Sequence, residues 1–150
     1  MSRPTLALPQ TTTQQIFRIY GGRVHVKLLL GEVTTVIEGT DPVLKVSYAA
    51  LTDAAALVGT AYDIGATLDM SSDEVGTLYS VEGDGSAIIS GGQVAGTVET
   101  FGTGWVAAQG QIYLTTGASK TGAIKWDLWY QPLDPGAYVV SVDTATAAIT

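Results

Sequence analysis

Short runs of alternating apolar and polar residues recur along most of this chain. The clearest is "GAIKWDLWYQP", residues 122–132. Its period of two predicts a β-strand with one buried face, formed by Ile124, Trp126, Leu128 and Tyr130. The opposite face carries Lys125, Asp127, Trp129 and Gln131. Trp129 is the exception to the pattern, because a large aromatic side chain falls on the polar face.

Four strands are predicted between residues 14 and 50. The runs "QQIFRIY" and "RVHVKLLL" are separated by Gly21 and Gly22, which is typical of a β-hairpin because a primed turn needs positive φ. Gly31 is predicted to end the second strand, and "EVTTVIE" and "PVLKVSYA" to form the next two. Alternation in the second run places Val24, Val26, Leu28 and Leu30 on one face, opposite Arg23, His25 and Lys27.

Strand signals continue through the rest of the chain. The later runs are "AYDIGATLDM", "VGTLYSVEG", "SAIIS", "QVAGTVETF", "GWVAAQGQIYLTT", "GAIKWDLWYQP" and "AYVVSV". Only "AALTDAAALVG" has a helical composition, which predicts one short helix closed by Gly59. Many short strands with Gly, Ser and Asp turns between them predict an all-β fold. We expect a β-sandwich or jelly-roll-like barrel of about eight to ten short antiparallel strands.

The N-terminal segment differs from the rest in lacking any period. Residues 1–13 contain Pro4, Pro9 and a run of threonines, and predict an extended arm that is either disordered alone or ordered against a neighbour. A single β domain over residues 14–143 and a C-terminal tail at 144–150 would follow. A chain of 150 residues is long enough for one domain with a substantial core.

Charge and composition narrow the class of partner. The net charge of −7 argues against nucleic acid, whose phosphates must be neutralised by cations. Arg18, Arg23 and Lys27 lie close together in the sequence and are predicted to meet an acidic surface on a protein partner.

The chain has no cysteine, so its stability must come from packing or association. No apolar run resembles a signal or a membrane span, and we expect a soluble protein with no membrane partner.

The sequence offers little that points to catalysis or to a cofactor. His25 is the sole histidine and stands between cationic neighbours, whereas a general base needs an orienting partner and a cleft. The serines and the Gly-rich stretches match no nucleophile or phosphate-binding motif. Acidic turns at Asp69, Asp73 and Glu74, joined by Glu82 and Asp84, supply enough oxygens to consider Ca²⁺, but their spacing departs from the EF-hand. We therefore predict a protein that is not an enzyme and that has neither a cofactor nor a metal site.

The aromatic residues carry the functional hypothesis. Exposed Trp and Tyr are enriched in the energetic centres of protein interfaces. Trp129 would be such an anchor, together with Trp105 and Tyr113, and the basic residues Arg18, Arg23 and Lys27 complete the predicted interface.

Three segments resemble small virion proteins of tailed bacteriophages. They are "TTTQQIFRIYGGRVHVKLLLGEVTTVI", "GATLDMSSDEVGTLYSV" and "KWDLWYQPLDPGAYVV", and the similarity spans about residues 11–140. The resemblance implies a capsid decoration (cement) protein, a homotrimer that binds the outer face of the major capsid protein shell after the shell expands and stabilises it. It further implies assembly in the host cytoplasm and a place on the capsid exterior of the virion. In such a virion protein the N-terminal arm would lie along an adjacent subunit.

One alternative class remains open from sequence. A carbohydrate- or receptor-binding β module of a phage tail or fibre would also expose aromatic residues, with Trp105, Trp129 and Tyr113 stacking on sugar rings. A glycan array would separate the two classes, because a capsid decoration protein should show no preference for a saccharide.

Overall fold

The computed structural model describes residues 1–9, 13–39, 42–52, 59–91, 96–100, 102–117 and 121–142. Within these ranges the chain is a sandwich of two antiparallel β-sheets without helix, which confirms the predicted all-β fold. No described segment is a helix of the length and apolarity needed to cross a membrane. The strands are β1 (Ser2–Ala7), β2 (Thr13–Tyr20), β3 (Val24–Thr35), β4 (Val43–Ala50), β5 (Tyr62–Asp69), β6 (Leu78–Val81), β7 (Ile89–Ser90), β8 (Trp105–Ala107), β9 (Gly110–Thr116), β10 (Ala123–Pro132) and β11 (Tyr138–Ser141).

The first sheet has the strand order β1-β10-β3-β6-β7, and β8 pairs with one end of β3. The second sheet has the order β11-β2-β9-β4-β5. On one flank the two sheets are joined by backbone hydrogen bonds. Ala66 N on β5 donates to Ser86 O at 2.8 Å, and Ile88 N donates to Ala66 O at 3.3 Å. The sandwich is therefore closed like a barrel along this flank.

The core lies between the two sheets and is made by alternate residues of their strands. The alternation predicted for β10 is confirmed, since Ile124, Trp126 and Leu128 are buried and Tyr130 packs partly buried against them. Its outward side chains include Trp129, which is half exposed. The fully buried core residues opposite include Phe17, Ile19, Leu44, Val46 and Ile112 of the second sheet.

The hairpin predicted at Gly21 and Gly22 is wrong. Strand β2 pairs with β9 and β11, whereas β3 pairs with β10, so the two glycines carry the chain from one sheet to the other. The connection from β10 to β11 makes the same crossing beside them. A Cβ atom on Gly21 would lie 2.4 Å from Gly136 O, and one on Gly22 would lie 2.7 Å from Asp134 Cβ. Both glycines have positive φ (73° and 140°), and they allow two crossing turns to pack closely.

Gly31 does not end a strand, because β3 runs unbroken through it. It lies opposite Trp126 in the β3–β10 ladder. A Cβ atom on Gly31 would lie 3.0 Å from Cη2 and Cζ3 of that indole. The glycine leaves room for the largest side chain of the core, which is a common reason for glycine inside a strand.

A bulge at Lys27 overturns part of the predicted face of β3. Trp129 pairs with Leu28 and Tyr130 pairs with Val26, so β3 has one residue more than β10 at this point. An inserted residue reverses the alternation beyond it. The core side therefore holds Val24 and Val26 before the bulge, and Leu29, Gly31 and Val33 after it. Leu28 and Leu30, predicted to face the core, turn to the outer face of the first sheet.

The N-terminal arm also departs from its predicted position. Residues 2–7 are extended, but they pair with β10 of their own chain rather than with another subunit. Arg3 is buried, and its Nε donates to Val142 O at 2.8 Å, just past the end of β11. Strand β1 thus covers the backbone edge of β10, and Arg3 connects the edges of the two sheets.

Several strand boundaries differ from the sequence reading. The run "GWVAAQGQIYLTT" divides into β8 in the first sheet and β9 in the second. In "SAIIS" only Ile89–Ser90 is a strand, and residues 96–100 of "QVAGTVETF" are not in a strand. Most of the predicted helix, at residues 53–58, and the tail at 144–150 lie outside the described residues.

Candidate interaction surface on the first sheet

Trp129 points away from the core on the outer face of the first sheet, with half of its surface exposed. Leu28 lies directly opposite it in the β3–β10 ladder, and Leu30 lies opposite Asp127 on the same side. Both leucines are partly exposed. We call Trp129, Leu28 and Leu30 the Trp129 face. The face exists because the bulge at Lys27 brings two leucines outward beside the indole.

Most charged side chains around the Trp129 face lie near an oppositely charged or hydrogen-bonding group of the same chain. Lys125 Nζ lies 3.5 Å from Asp127 Oδ2, and Ser2 Oγ donates to the same Asp127 side chain. Lys125 also stands opposite Glu32 in the ladder. Lys27 is exposed and has no ion pair within the described part of the chain. These contacts leave Lys27 as the available cation at this surface.

A groove begins beside Leu28 and runs along the end of the first sheet. Its first part, about 150 Å³, is lined by Lys27, Leu28, Val81, Glu82, Thr100, Gly102, Gly104 and Trp105. Its second part, about 450 Å³, is lined by Glu82, Asp84, Ser86, Ile89, Gly102, Thr103 and Gly104. The two parts are adjacent, since they share Glu82, Gly102 and Gly104 in their linings, and the first part adjoins the Trp129 face at Leu28.

Local turn chemistry holds the groove in shape. The ring of Trp105 packs on Gly83, where a Cβ atom would lie 2.4 Å from ring carbons and where φ is +84°. Glu82 accepts hydrogen bonds from Ser80 Oγ at 2.9 Å and from the backbone N of Gly102. These contacts connect the strand β6 to the segment that leads into β8. Glycine at position 83 is required both by its φ and by the indole above it.

The carboxylate of Asp84 lies at the far end of the groove. Its Oδ1 accepts a hydrogen bond from Ser86 N at 2.9 Å. Hydrogen bonds from Ser86 lower the pKa of Asp84 below its ordinary value, which favours the anion. The first part of the groove therefore has Lys27 and Glu82 in its lining, and the second part has Glu82 and Asp84.

The six predicted interface residues do not form a single surface. Trp129 and Lys27 lie together, and Trp105 joins them as a wall of the groove. Tyr113 is only 7% exposed and lies on the outer side of the second sheet, next to Ala49. Arg18 is 5% exposed, and its guanidinium carbon lies 5.1 Å from the centre of the Tyr20 ring.

Arg23 is held in an ion pair with Asp134 at the crossing turns. Its NH2 group donates to Asp134 Oδ1 at 2.8 Å, and its Nε and backbone N donate to Oδ2 at 3.0 and 2.8 Å. The hydrogen bonds from Arg23 lower the pKa of Asp134 to about 2. The structure thus assigns Arg23 a contact within the chain that joins the β2–β3 and β10–β11 connections.

The acidic turns are engaged one by one with nearby donors. Asp69 Oδ1 accepts from Ser71 N at 2.8 Å, and the buried Asp73 accepts from Tyr79 Oη. No three His, Asp or Glu side chains of the described ranges come together as metal ligands. His25 Nε2 lies 3.0 Å from Thr103 O. The imidazole of His25 is thus within hydrogen-bonding distance of the backbone carbonyl of Thr103.

Sequence reasoning missed several surface residues. Leu28 and Leu30 were placed in the core, and their true position depends on the bulge, which the pattern of alternation does not mark. Tyr138 was not among the predicted interface residues. It is 49% exposed and stacks on Tyr20 with ring centres 5.4 Å apart, on the second sheet and away from the Trp129 face.

Comparison with protein-family models, with curated proteins and with solved structures gives no match for this chain.

Proposed function

We propose that this chain is a structural virion protein, a capsid decoration protein that binds the outer face of a phage major capsid protein shell and stabilises it. The observation that carries the proposal is the half-exposed Trp129 beside two outward leucines on a hydrogen-bonded sheet. Aromatic anchors on a rigid surface are typical of protein interfaces. The resemblance to phage virion proteins supplies the class of partner.

The mechanism of such a protein is adhesion. Trp129 and Leu28 face the same way from adjacent strands, so a partner surface would exclude water from both side chains together. The backbone of β10 is paired on both sides, with β1 and β3, which holds the anchor in place before binding. Little conformational entropy would then be lost on docking, and the exposed apolar area would contribute more of its free energy to affinity.

The subunits of the proposed homotrimer would not be joined by the N-terminal arm, although the sequence suggested this. Strand β1 is committed to its own sheet and does not supply an arm to a neighbour. A trimer would therefore assemble through surfaces other than strand β1. Native mass measured over a dilution series tests this part of the proposal: a persistent trimer supports it, and a monomer at every concentration contradicts it.

The three aromatic side chains that the saccharide-binding alternative needs do not lie on one surface. Trp129 lies on the outer face of the first sheet, Tyr113 is buried on the second sheet, and Trp105 packs into the groove wall over Gly83. Sugar stacking needs exposed ring faces that converge on one ligand. Because these three rings do not converge, the geometry favours docking to a protein surface.

The test is binding to expanded, undecorated shells assembled from the major capsid protein of the same genome, measured by co-sedimentation. We expect the unaltered chain to bind and Trp129→Ser to bind at least about tenfold more weakly, which corresponds to about 1.4 kcal/mol. Tyr138→Ser is the matched control, because it removes an equally exposed aromatic side chain from the other sheet. Equal binding by the unaltered chain and Trp129→Ser would contradict the proposal, as would no binding by the unaltered chain.

A further inference from the structure

The groove beside the Trp129 face has a charge pattern that restricts what can dock there. Two carboxylates, Glu82 and Asp84, line its wider part, and Lys27 lies where the groove meets Leu28. An adjoining cavity of about 290 Å³ shares Ile89 with the groove and adds Glu99 to its lining. Carboxylates thus outnumber cations along this surface, and the excess lies away from the Trp129 face.

We infer that the Trp129 face and this groove together bind one polypeptide segment of a partner protein, with an apolar residue over Trp129 and a Lys or Arg side chain in the groove at Glu82 and Asp84. This inference rests on the proposed function and names the chemistry of the partner segment. It assigns the groove a role that no known motif in the sequence indicates.

The apolar part of the segment follows from the continuity of the surface. Leu28 belongs both to the Trp129 face and to the groove lining. A segment that covers the indole and Leu28 therefore reaches the first part of the groove. Burying the indole and Leu28 favours an apolar residue at that point, because apolar contact removes the most area from water.

The cationic part follows from charge complementarity. Asp84 is exposed and anionic, and an incoming guanidinium or ammonium group would have two carboxylates within the same cavity. An acidic side chain would be repelled there. Lys27 lines the first part of the groove together with Glu82, whereas the second part holds Glu82 and Asp84 without a cation, so an incoming cation is favoured nearer to Asp84.

The shape of the groove also fits an extended side chain. Its second part is larger than its first, and Gly102 and Gly104, which carry no side chain, contribute to the lining of both. Arg and Lys place a charged group at the end of a flexible apolar stem. The stem would lie along Trp105 while the charged group reaches the carboxylates.

The inference is tested with two short peptides, acetyl-Leu-Arg-Leu-amide and the same peptide with neutral citrulline in place of arginine. Binding is followed by NMR shifts of the backbone amides of Ser86, Gly102 and Gly104. We expect the arginine peptide to shift these amides with an apparent Kd at least about threefold lower than that of the citrulline peptide. The difference should disappear in 1 M salt, where the Debye length falls to about 3 Å.

Two matched variants test whether the preference for the arginine peptide arises at Asp84. Asp84→Asn removes the charge but keeps an oxygen to accept from Ser86 N, and it should remove the preference for arginine. Asp69→Asn makes the same change in a similar turn, where Asp69 accepts from Ser71 N, but it lies outside the groove. It should bind both peptides like the unaltered chain.

The peptide titrations can overturn the inference in three ways. Equal affinity for the two peptides, shifts confined to other amides, or an undiminished preference in Asp84→Asn would overturn the inference. The proposed function fails separately, through unaltered binding of Trp129→Ser to shells. A groove that prefers arginine in a chain that does not bind shells would show a peptide-binding surface with a different partner.

Discussion

Gly31 allows a direct test of how tightly the first sheet packs on its own core. Gly31→Ala adds a single Cβ atom, which would lie 3.0 Å from Cη2 and Cζ3 of Trp126 and 3.3 Å from Cε3. Ordinary carbon contacts are about 3.5–4.0 Å. The indole must therefore move by roughly half an ångström, and it cannot do so freely because it is completely buried. We expect Gly31→Ala to destabilise the fold.

The expected magnitude combines two opposing effects. Overpacking in a filled core costs about 1–3 kcal/mol. Replacing glycine by alanine inside a strand, at a φ that alanine can adopt, stabilises the fold by about 0.5–1 kcal/mol, because the unfolded chain loses conformational freedom. The net loss in the free energy of unfolding should be about 1 kcal/mol, near the middle of the difference between the two effects. For a domain of this size that corresponds to a fall in Tm of roughly 2–4 °C.

Urea unfolding followed by far-UV circular dichroism measures the change. Gly117→Ala is the matched control, because its Cβ atom would lie 3.6 Å from Val43 Cβ, an ordinary contact. It should leave the unfolding midpoint unchanged or raise it slightly. A double variant, Gly31→Ala with Trp126→Phe, removes part of the ring that the new methyl group meets. In that background the cost of Gly31→Ala should fall below about 0.5 kcal/mol.

The reasoning would be refuted by either of two results. One is that Gly31→Ala unfolds at the same urea concentration as the unaltered chain. The other is that Gly31→Ala costs the same free energy of unfolding with and without the Trp126→Phe change. Either result would mean that the contact with the indole does not determine the need for glycine.

Three further changes test other contacts within the fold. Arg3→Ala should lower the free energy of unfolding by about 2 kcal/mol or more, because it removes a buried charged hydrogen bond and the packing of the side chain. Urea unfolding measures the change, and a clearly smaller loss would contradict the role of Arg3. Tyr79→Phe leaves the buried carboxylate of Asp73 without its donor and should cost about 1–3 kcal/mol in the same assay, whereas no loss would contradict that contact. The pKa of Asp134 is lowered by Arg23 from 3.8 to about 2, so the stabilisation is present above pH 3.8 and is lost as pH falls toward 2. Thermal unfolding between pH 4 and 2 should show a steeper loss for the unaltered chain than for Asp134→Asn, and parallel curves would contradict the pair.

Much of the fold could be predicted from the pattern of alternation. The faces of β10 were predicted correctly because apolar and polar residues alternate strictly from Ile124 to Leu128. Pairing was harder to predict, because alternation tells which side of a strand is buried but not which strand lies beside it. Gly21 and Gly22 fit a hairpin and a crossing between sheets equally well in sequence. Only contacts with the distant β10–β11 connection distinguish the two.

The candidate surface was predicted in part. Trp129 could be found, since it breaks the pattern of its own strand. Leu28 and Leu30 could not, because the bulge at Lys27 depends on how β3 fits β10 and leaves no mark in β3 alone. The groove residues Glu82 and Asp84 were noted only as possible metal ligands. Their relation to Trp105 arises from the packing of segments far apart in sequence.

The pairing of β10 has a consequence for how this chain acquires its structure. Strand β10 lies between β1 and β3, although about a hundred residues separate it from them along the chain. Neither early strand can complete its ladder until residues 123–132 have been synthesised, and contacts between such distant segments make folding slow. A fragment that ends before residue 123 would leave both strands without their shared neighbour and expose their edges to aggregation. Because Trp129 lies on β10 itself, the same late step that completes the first sheet also presents the anchor.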